Sequence, residues 1–229
     1  MKGVKYLEYR HEWKHEINYS DMIALRQRLR AIAKLDPHCV DGTYHIRSIY
    51  FDDLQDRALR EKIDGVNKRE KFRIRYYNDD LSYISLEKKS KENGLSSKIS
   101  ARLTLDEAMA IEAGDYEWMQ DVKSGLIREV YYKMKSQGLR PKTIVDYDRE
   151  PYIYGPGNVR VTFDYNIRTG LYRTDYLNPD CPTIPAGDAG IILEVKWDEY
   201  LPAVIRSAVQ LRGRHSSAFS KYAACRIYG

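Results

Sequence analysis

Apolar and polar residues alternate with a period of two in several short stretches of this chain, which predicts β-strands; elsewhere apolar residues recur every three or four positions, which predicts helices. The strand pattern covers His45–Phe51, Arg69–Tyr77, Tyr83–Lys89, Thr143–Arg149, Asn158–Asp164 and Ile191–Trp197, with Glu8–Ile17 as a first strand. Turn chemistry such as Asn78-Asp79-Asp80 and Gly155-Pro156-Gly157-Asn158 separates them. A helix is predicted over Asp21–Lys34, with Ser20 as N-cap, Leu25, Leu29 and Ile32 as its stripe, and Pro37 beyond its end. Thr104 and Glu107 form a capping box ahead of Ala108, Met109 and Ile111. A longer helix is predicted over Tyr116–Gln137, closed by Gly138 with Pro141 beyond it. Further helix is predicted over Ala203–Arg212 and, after a turn, over Ala218–Arg226. No internal repeat or long linker interrupts the pattern, so one domain over residues 1–229 is expected.

The strands carry an unusual polar row. Phe72, Ile74 and Tyr76 oppose Arg69, Lys71, Arg73 and Arg75; Ile84 and Leu86 oppose Ser85, Glu87, Lys89 and Lys91. Val159, Val161 and Phe163 oppose Arg160, Thr162 and Asp164, while Leu193, Val195 and Trp197 oppose Ile192, Glu194, Lys196 and Asp198. In the first strand Glu12 and Lys14 share a face, with Arg10 beside them. One reading is that each charged row is solvated, as in any one-sided antiparallel sheet. The other follows from the helices, which need an apolar sheet face to cover. A sheet curled with that face outward turns its charges into a polar lumen. The excess of bases, many of them Arg, suits the planar recognition of oxyanions.

Composition narrows the partners. The chain of 229 residues is long enough for a sizeable core, and its net charge of +5 does not call for nucleic acid. No run of about eighteen apolar residues predicts a membrane span, and Met1–Arg10 has no apolar core of a signal peptide. Cys39, Cys181 and Cys225 are scattered and show no metal-ligand spacing, which suggests reduced thiols and a cytoplasmic location. Twenty tyrosines against four phenylalanines suit side chains that span an apolar layer and reach a polar one. No phosphate-binding P-loop occurs, and His11, His15, His38, His45 and His215 form no motif.

A basic lumen has an energetic consequence. Two like charges ~6 Å apart at an effective dielectric near 20 repel by about 3 kcal/mol before screening. Several converging cations therefore demand anionic company, which a chain of phosphates supplies with regularly spaced oxygens.

Eight short segments in order carry a family resemblance: Glu12-Trp13-Lys14, Ser48-Ile49-Tyr50-Phe51-Asp52, Phe72-Arg73-Ile74-Arg75-Tyr76, Leu86-Glu87-Lys88-Lys89, Tyr147-Asp148-Arg149, Val159-Arg160-Val161-Thr162-Phe163-Asp164, Leu193-Glu194-Val195-Lys196 and Phe219-Ser220-Lys221-Tyr222. From about Arg10 to Tyr222 the chain resembles the triphosphate tunnel metalloenzymes of the CYTH-like superfamily. More closely, it is similar to the polyphosphate polymerase domain of the vacuolar transporter chaperone (VTC) family. Arg10 stands where the wider superfamily opens its alternating Glu-x-Glu-x-Lys, which fits the VTC-like branch better than the two-metal hydrolases. The resemblance implies an α+β fold: an antiparallel β-barrel with a charged lumen and helices packed outside.

It also implies roles. Lys14, Arg73, Arg75, Lys89, Arg149, Arg160, Lys196 and Lys221 would line the tunnel and hold phosphates, with Tyr147 and Ser220 adding hydrogen bonds. Lys62 or Arg60 would supply one more contact. Glu194 would be the principal ligand of Mn²⁺ or Mg²⁺, with Glu12 and Glu87 as further ligands or as partners fixing the bases. The activity implied is transfer of the γ-phosphate of ATP, or another nucleoside triphosphate, to inorganic polyphosphate. A tripolyphosphatase-like hydrolase or a non-catalytic polyphosphate-binding module would use the same cradle.

Overall fold

The computed structural model describes residues 9–188, 190–211, 213 and 216–227. One antiparallel sheet dominates it. Its strands are β1 (His11–Ile17), β2 (Lys34–Leu35), β3 (Tyr44–Asp52), β4 (Arg69–Tyr77), β5 (Asp80–Glu92), β6 (Leu95–Leu103), β7 (Arg140–Tyr154), β8 (Val159–Thr169), β9 (Ile184–Pro185) and β10 (Ile191–Trp197). The order across the sheet is β1-β10-β8-β7-β3-β4-β5-β6, with β2 and β9 as short additions to β7 and β8. The sheet curls until its edges meet, where Arg10 and Ser96 exchange backbone hydrogen bonds of 2.9 and 3.1 Å. Register shifts in β3–β7, β4–β5 and β7–β8 help the sheet bend, as bulges do.

The helices are α1 (Tyr19–Arg30), α2 (Arg57–Ile63), α3 (Leu105–Ala113), α4 (Gly125–Gln137), α5 (Ala203–Ala208) and α6 (Lys221–Arg226). Helices α3 and α4 bury Ile111, Ile127 and Val130 on the outward row of β3 to β6, which supplies Ile49, Phe72, Ile74 and Leu86. On the far side, Leu25 and Leu29 of α1 and Ile205 of α5 cover Val161, Phe163, Leu193 and Val195. Thus the apolar rows face outward under helices and the charged rows face inward. Helix α6 departs from the all-outside arrangement. Its Tyr222 and Cys225 pack with Ile46, Val145, Ile167 and Ile192, which share the inner face with the charged rows, and α2 adds Ala58 and Leu59.

Several local expectations are corrected. Asn18, not Ser20, caps α1, because its side chain accepts from Asp21 N at 2.8 Å while Asp21 reaches back to Asn18 N. The single helix expected over Tyr116–Gln137 is a 3₁₀ turn, Glu117–Gln120, followed by α4, since Ser124 caps Ile127 N and restarts the helix. Gly138 does close α4, at φ +69°. Helix α6 begins at Lys221, after Ser220, rather than at Ala218. The expected strand start at Glu8 lies outside the described residues, and the helix expected to run to Arg212 stops at Ala208, with Val209 as its C-cap. Strand β6 and helix α2 were not anticipated: β6 is rich in Ser and Lys, and α2 buries none of its residues.

An acid holds α2 instead. The Asp52 carboxylate, 1% exposed, accepts from Asp53 N (2.9 Å), Ala58 N (2.8 Å), Leu59 N (3.1 Å) and the Tyr222 hydroxyl (2.7 Å). It thereby ties α2 to α6. Asp52→Ala strands two helix N–H groups and a buried phenol, and is expected to lower stability by about 3 kcal/mol in a urea titration. An unchanged midpoint would show that α2 is held by something else.

Candidate functional site

The inward rows enclose a cavity of ≈ 460 Å³. Among the described residues its wall holds fourteen Lys and Arg side chains but only two carboxylates, Glu12 and Glu194. Lys14, Arg73, Arg75, Lys89, Arg149, Arg160, Lys196 and Lys221 all line it, as do Tyr147, Ser220 and Lys62. Glu87 sits just behind the wall, 3% exposed. Strand alternation makes this possible, and the curl brings side chains from eight strands, β1, β3 to β8 and β10, onto one volume.

The acids serve as counter-ions within the wall. Arg73 donates to Glu87 at 2.7 Å through Nε and to the Tyr50 hydroxyl at 2.8 Å, and Lys98 takes the other Glu87 oxygen at 2.8 Å. Arg149 grips Asp164 with two hydrogen bonds of 2.6 and 2.8 Å, and Lys221 joins the same carboxylate. Arg75 donates to Tyr147 at 2.7 Å and to Ser48 at 3.1 Å. The Tyr147 ring carries Arg75, Arg149 and Lys221 within 5.8, 5.4 and 4.5 Å of its centre. Arg160 reaches Asp36 at 3.0 Å and the Tyr44 hydroxyl at 3.1 Å.

Glu12 and Glu194 stand together. Lys14 bridges them at 2.8 and 3.4 Å, Lys196 lies 2.8 Å from Glu194, and Lys89 lies 2.7 Å from Glu12. Burial and Glu194 push the Glu12 carboxyl up, but Lys14, Lys89 and Lys196 outweigh them and bring it down to about 2. Despite its burial, Glu194 is held well below the usual carboxylate range by Lys196, Lys14 and Lys89. Among the described residues no cluster of three His, Cys, Asp or Glu side chains could hold a metal alone. Two adjacent ionised carboxylates do fit a divalent ion that takes its remaining ligands from phosphate oxygens. Glu87 is a poorer fit, because it stands behind the cavity wall rather than on it, held there by Arg73 and Lys98.

Even with these pairs the wall is short of negative charge. Across β4, β5 and β6 the register sets Lys71, Lys89 and Lys98 in one row and Arg69 opposite Lys91, an unfavourable alignment of like charges. Burial, then Lys14, Lys62 and Lys89, push the Lys71 ammonium down to about 7. Burial and Lys14 push Lys89 to about 8 despite Glu12. Of the buried side-chain polar atoms lacking a hydrogen-bond partner among the described residues, Arg160 Nε, Thr162 Oγ1, Ser97 Oγ and Ser217 Oγ all belong to cavity-lining residues. Unpaired donors and surplus cations on one wall suit an anionic ligand.

Sequence reasoning left Lys71, Arg69, Lys91, Lys98 and Asp164 out of the site. Four of these five stand on rows already read as charged. Lys98 was lost with β6, whose large apolar residues Leu95, Ile99 and Leu103 recur only every fourth position.

Charged rows facing one another inside a curled antiparallel sheet define a tunnel fold. The family model for the VTC domain matches residues 9–227, and the chain belongs to that family. A Bacillus halodurans protein provisionally assigned as an adenylate cyclase superposes with a TM-score of 0.50 at 13% identity, over 82% of this chain and 80% of that one. That likeness shows the shared fold. The PH1012 protein of Pyrococcus horikoshii aligns at TM-score 0.48 and 14% identity, over 95% and 99% of the two chains. No curated protein matches the chain at a significant level. Among the described residues no helix is long and apolar enough to cross a membrane.

Proposed function

We propose that this protein is a polyphosphate polymerase, transferring the γ-phosphate of ATP or another nucleoside triphosphate to a growing polyphosphate chain. The carrying observation is the cavity wall, with fourteen basic side chains against two carboxylates. In this reading Arg73, Arg75, Arg149 and Lys221 hold the triphosphate in line, braced by Glu87, Asp164 and Tyr147. A terminal oxygen of the polymer forms the new P–O bond to the γ-phosphorus. The bond from that phosphorus to the β,γ-bridging oxygen breaks, and nucleoside diphosphate leaves with its electron pair. The nucleophile is already an oxyanion, so the chain needs no dedicated base; its cations position the reactants and stabilise the spreading charge. Mn²⁺ or Mg²⁺ on Glu194 and Glu12, shared with the phosphates, would neutralise part of that charge. Incubation with ATP and Mn²⁺ followed by gel separation tests the reading. Long polymer plus ADP supports it, whereas orthophosphate alone marks a hydrolase and unchanged ATP a binding module.

Two further outcomes follow. Arg75→Ala removes a charge bonded to Tyr147 and Ser48, and should weaken tripolyphosphate binding about 10- to 100-fold in calorimetry. Undiminished affinity would remove Arg75 from the site. The second outcome concerns pH. A bound polyanion favours the protonated forms of Lys71 and Lys89, which in the free protein titrate at about 7 and about 8. Binding is therefore coupled to proton uptake, and affinity falls as pH rises through this range. At pH 8 titrations in buffers of different ionisation enthalpy should report uptake of roughly one proton per triphosphate. Proton release would contradict the assignment.

A further inference from the structure

A smaller, more open cleft adjoins the cationic cavity, and His11 and Glu12 line both. Its character differs sharply. Among the described residues it holds no Lys or Arg; its walls are Trp13, Trp197 and Leu95 on one hand and the β5–β6 turn at Asn93 and Gly94 on the other. The one Asp or Glu among its described residues, Glu12, is already engaged by Lys14 and Lys89. Nothing in it calls for a phosphate.

Strand alternation produces this division. On β1, Glu12 and Lys14 point into the tunnel and Trp13 takes the opposite face, while His11, the first residue of the strand, borders both spaces. Beside them, the Arg10–Ser96 bridge is the one place where β1 and β6 pair among the described residues. Beyond that bridge the tunnel wall parts between β1 and the β5–β6 turn. The turn is braced from below: Asn67 donates to Asn93 at 2.7 Å and accepts from its backbone N–H at 2.9 Å.

The aromatic groups form a platform. The His11 ring lies nearly parallel to Trp197, with centroids 5.3 Å apart and planes 13° apart. Trp13 meets Trp197 edge-on at 4.7 Å and fixes it from behind. One face of the imidazole is thus covered by indole, and His11 as a residue is exposed. A flat ring can extend this stack by one layer.

We propose that this cleft is the nucleoside subsite, in which the base of a nucleoside triphosphate stacks on His11 while its phosphates lie among the tunnel cations. The assignment rests on the triphosphate reading of the tunnel. It supplies what that reading lacks, a neutral aromatic surface next to the phosphates. Stacking uses the ring face that every base presents, so the cleft discriminates weakly between bases.

The test compares ATP with tripolyphosphate, by calorimetry without added metal, on the intact protein and on His11→Ala and His11→Phe. His11→Ala should weaken ATP about 5- to 150-fold, as expected for loss of one stacked base, and leave tripolyphosphate unchanged. His11→Phe, which keeps a flat ring, should restore ATP binding. If His11→Ala weakens both ligands alike, or weakens neither, the subsite is overturned while the tunnel reading stands. Should the unaltered protein bind neither ligand, it is the tunnel reading that fails.

Discussion

Asp164→Ala is expected to be among the most destabilising single substitutions in this protein, costing about 3–5 kcal/mol. The carboxylate is 0% exposed and receives both a two-pronged Arg149 and Lys221. Its removal leaves two confined cations with, among the described residues, no paired acid except Glu194, which lies 3.5 Å from Arg149 and is already shared with Lys14 and Lys196. The melting temperature should fall by about 10 °C or more. Saturating tripolyphosphate should recover part of that loss, because phosphate oxygens replace the missing charge. The pH dependence has a defined sign. Burial pushes the Asp164 carboxyl up, but Arg149 and Lys221 hold it at about 2, below its ordinary 3.8. Its stabilising contribution is therefore complete above about pH 4 and is lost as pH falls through 2. A variant as stable as the parent at neutral pH would mean that Arg149 and Lys221 find solvent.

Glu194→Gln should have the larger effect on turnover. The amide preserves shape but removes the charge that faces Lys14, Lys196 and Arg149. Under the proposed mechanism, metal-dependent transfer should drop by on the order of 100-fold or more. Tripolyphosphate binding without metal should persist, since affinity rests on the cations and one fewer anion competes for them. Rates measured across a Mn²⁺ titration, paired with calorimetry, separate the two effects. Unaltered turnover with unaltered metal dependence would exclude Glu194 as the ligand.

Much of the site was legible because strand geometry is local. Phe72, Ile74 and Tyr76 had to oppose Arg73 and Arg75 whatever the rest of the chain did, and they do. The legible part stops where contacts become distant. Helix α2 carries no apolar stripe, since its anchor is Asp52, itself tied to Tyr222 near the end of the chain. Asp164 reads as one more polar residue on β8 until β7 lies beside it and presents Arg149. Lys89 of β5 and Glu12 of β1 stand on strands that are not neighbours in the sheet, so only its curl brings them to 2.7 Å.

The amino-acid order by itself determined which side chains share a face, because the period of a strand is set by the peptide backbone. It also determined that those faces carry more base than acid. Which face turned inward, and which acid met which base, was decided by closure of the sheet under its helices. Burial of the apolar rows drove that closure, and the charges were gathered as its consequence.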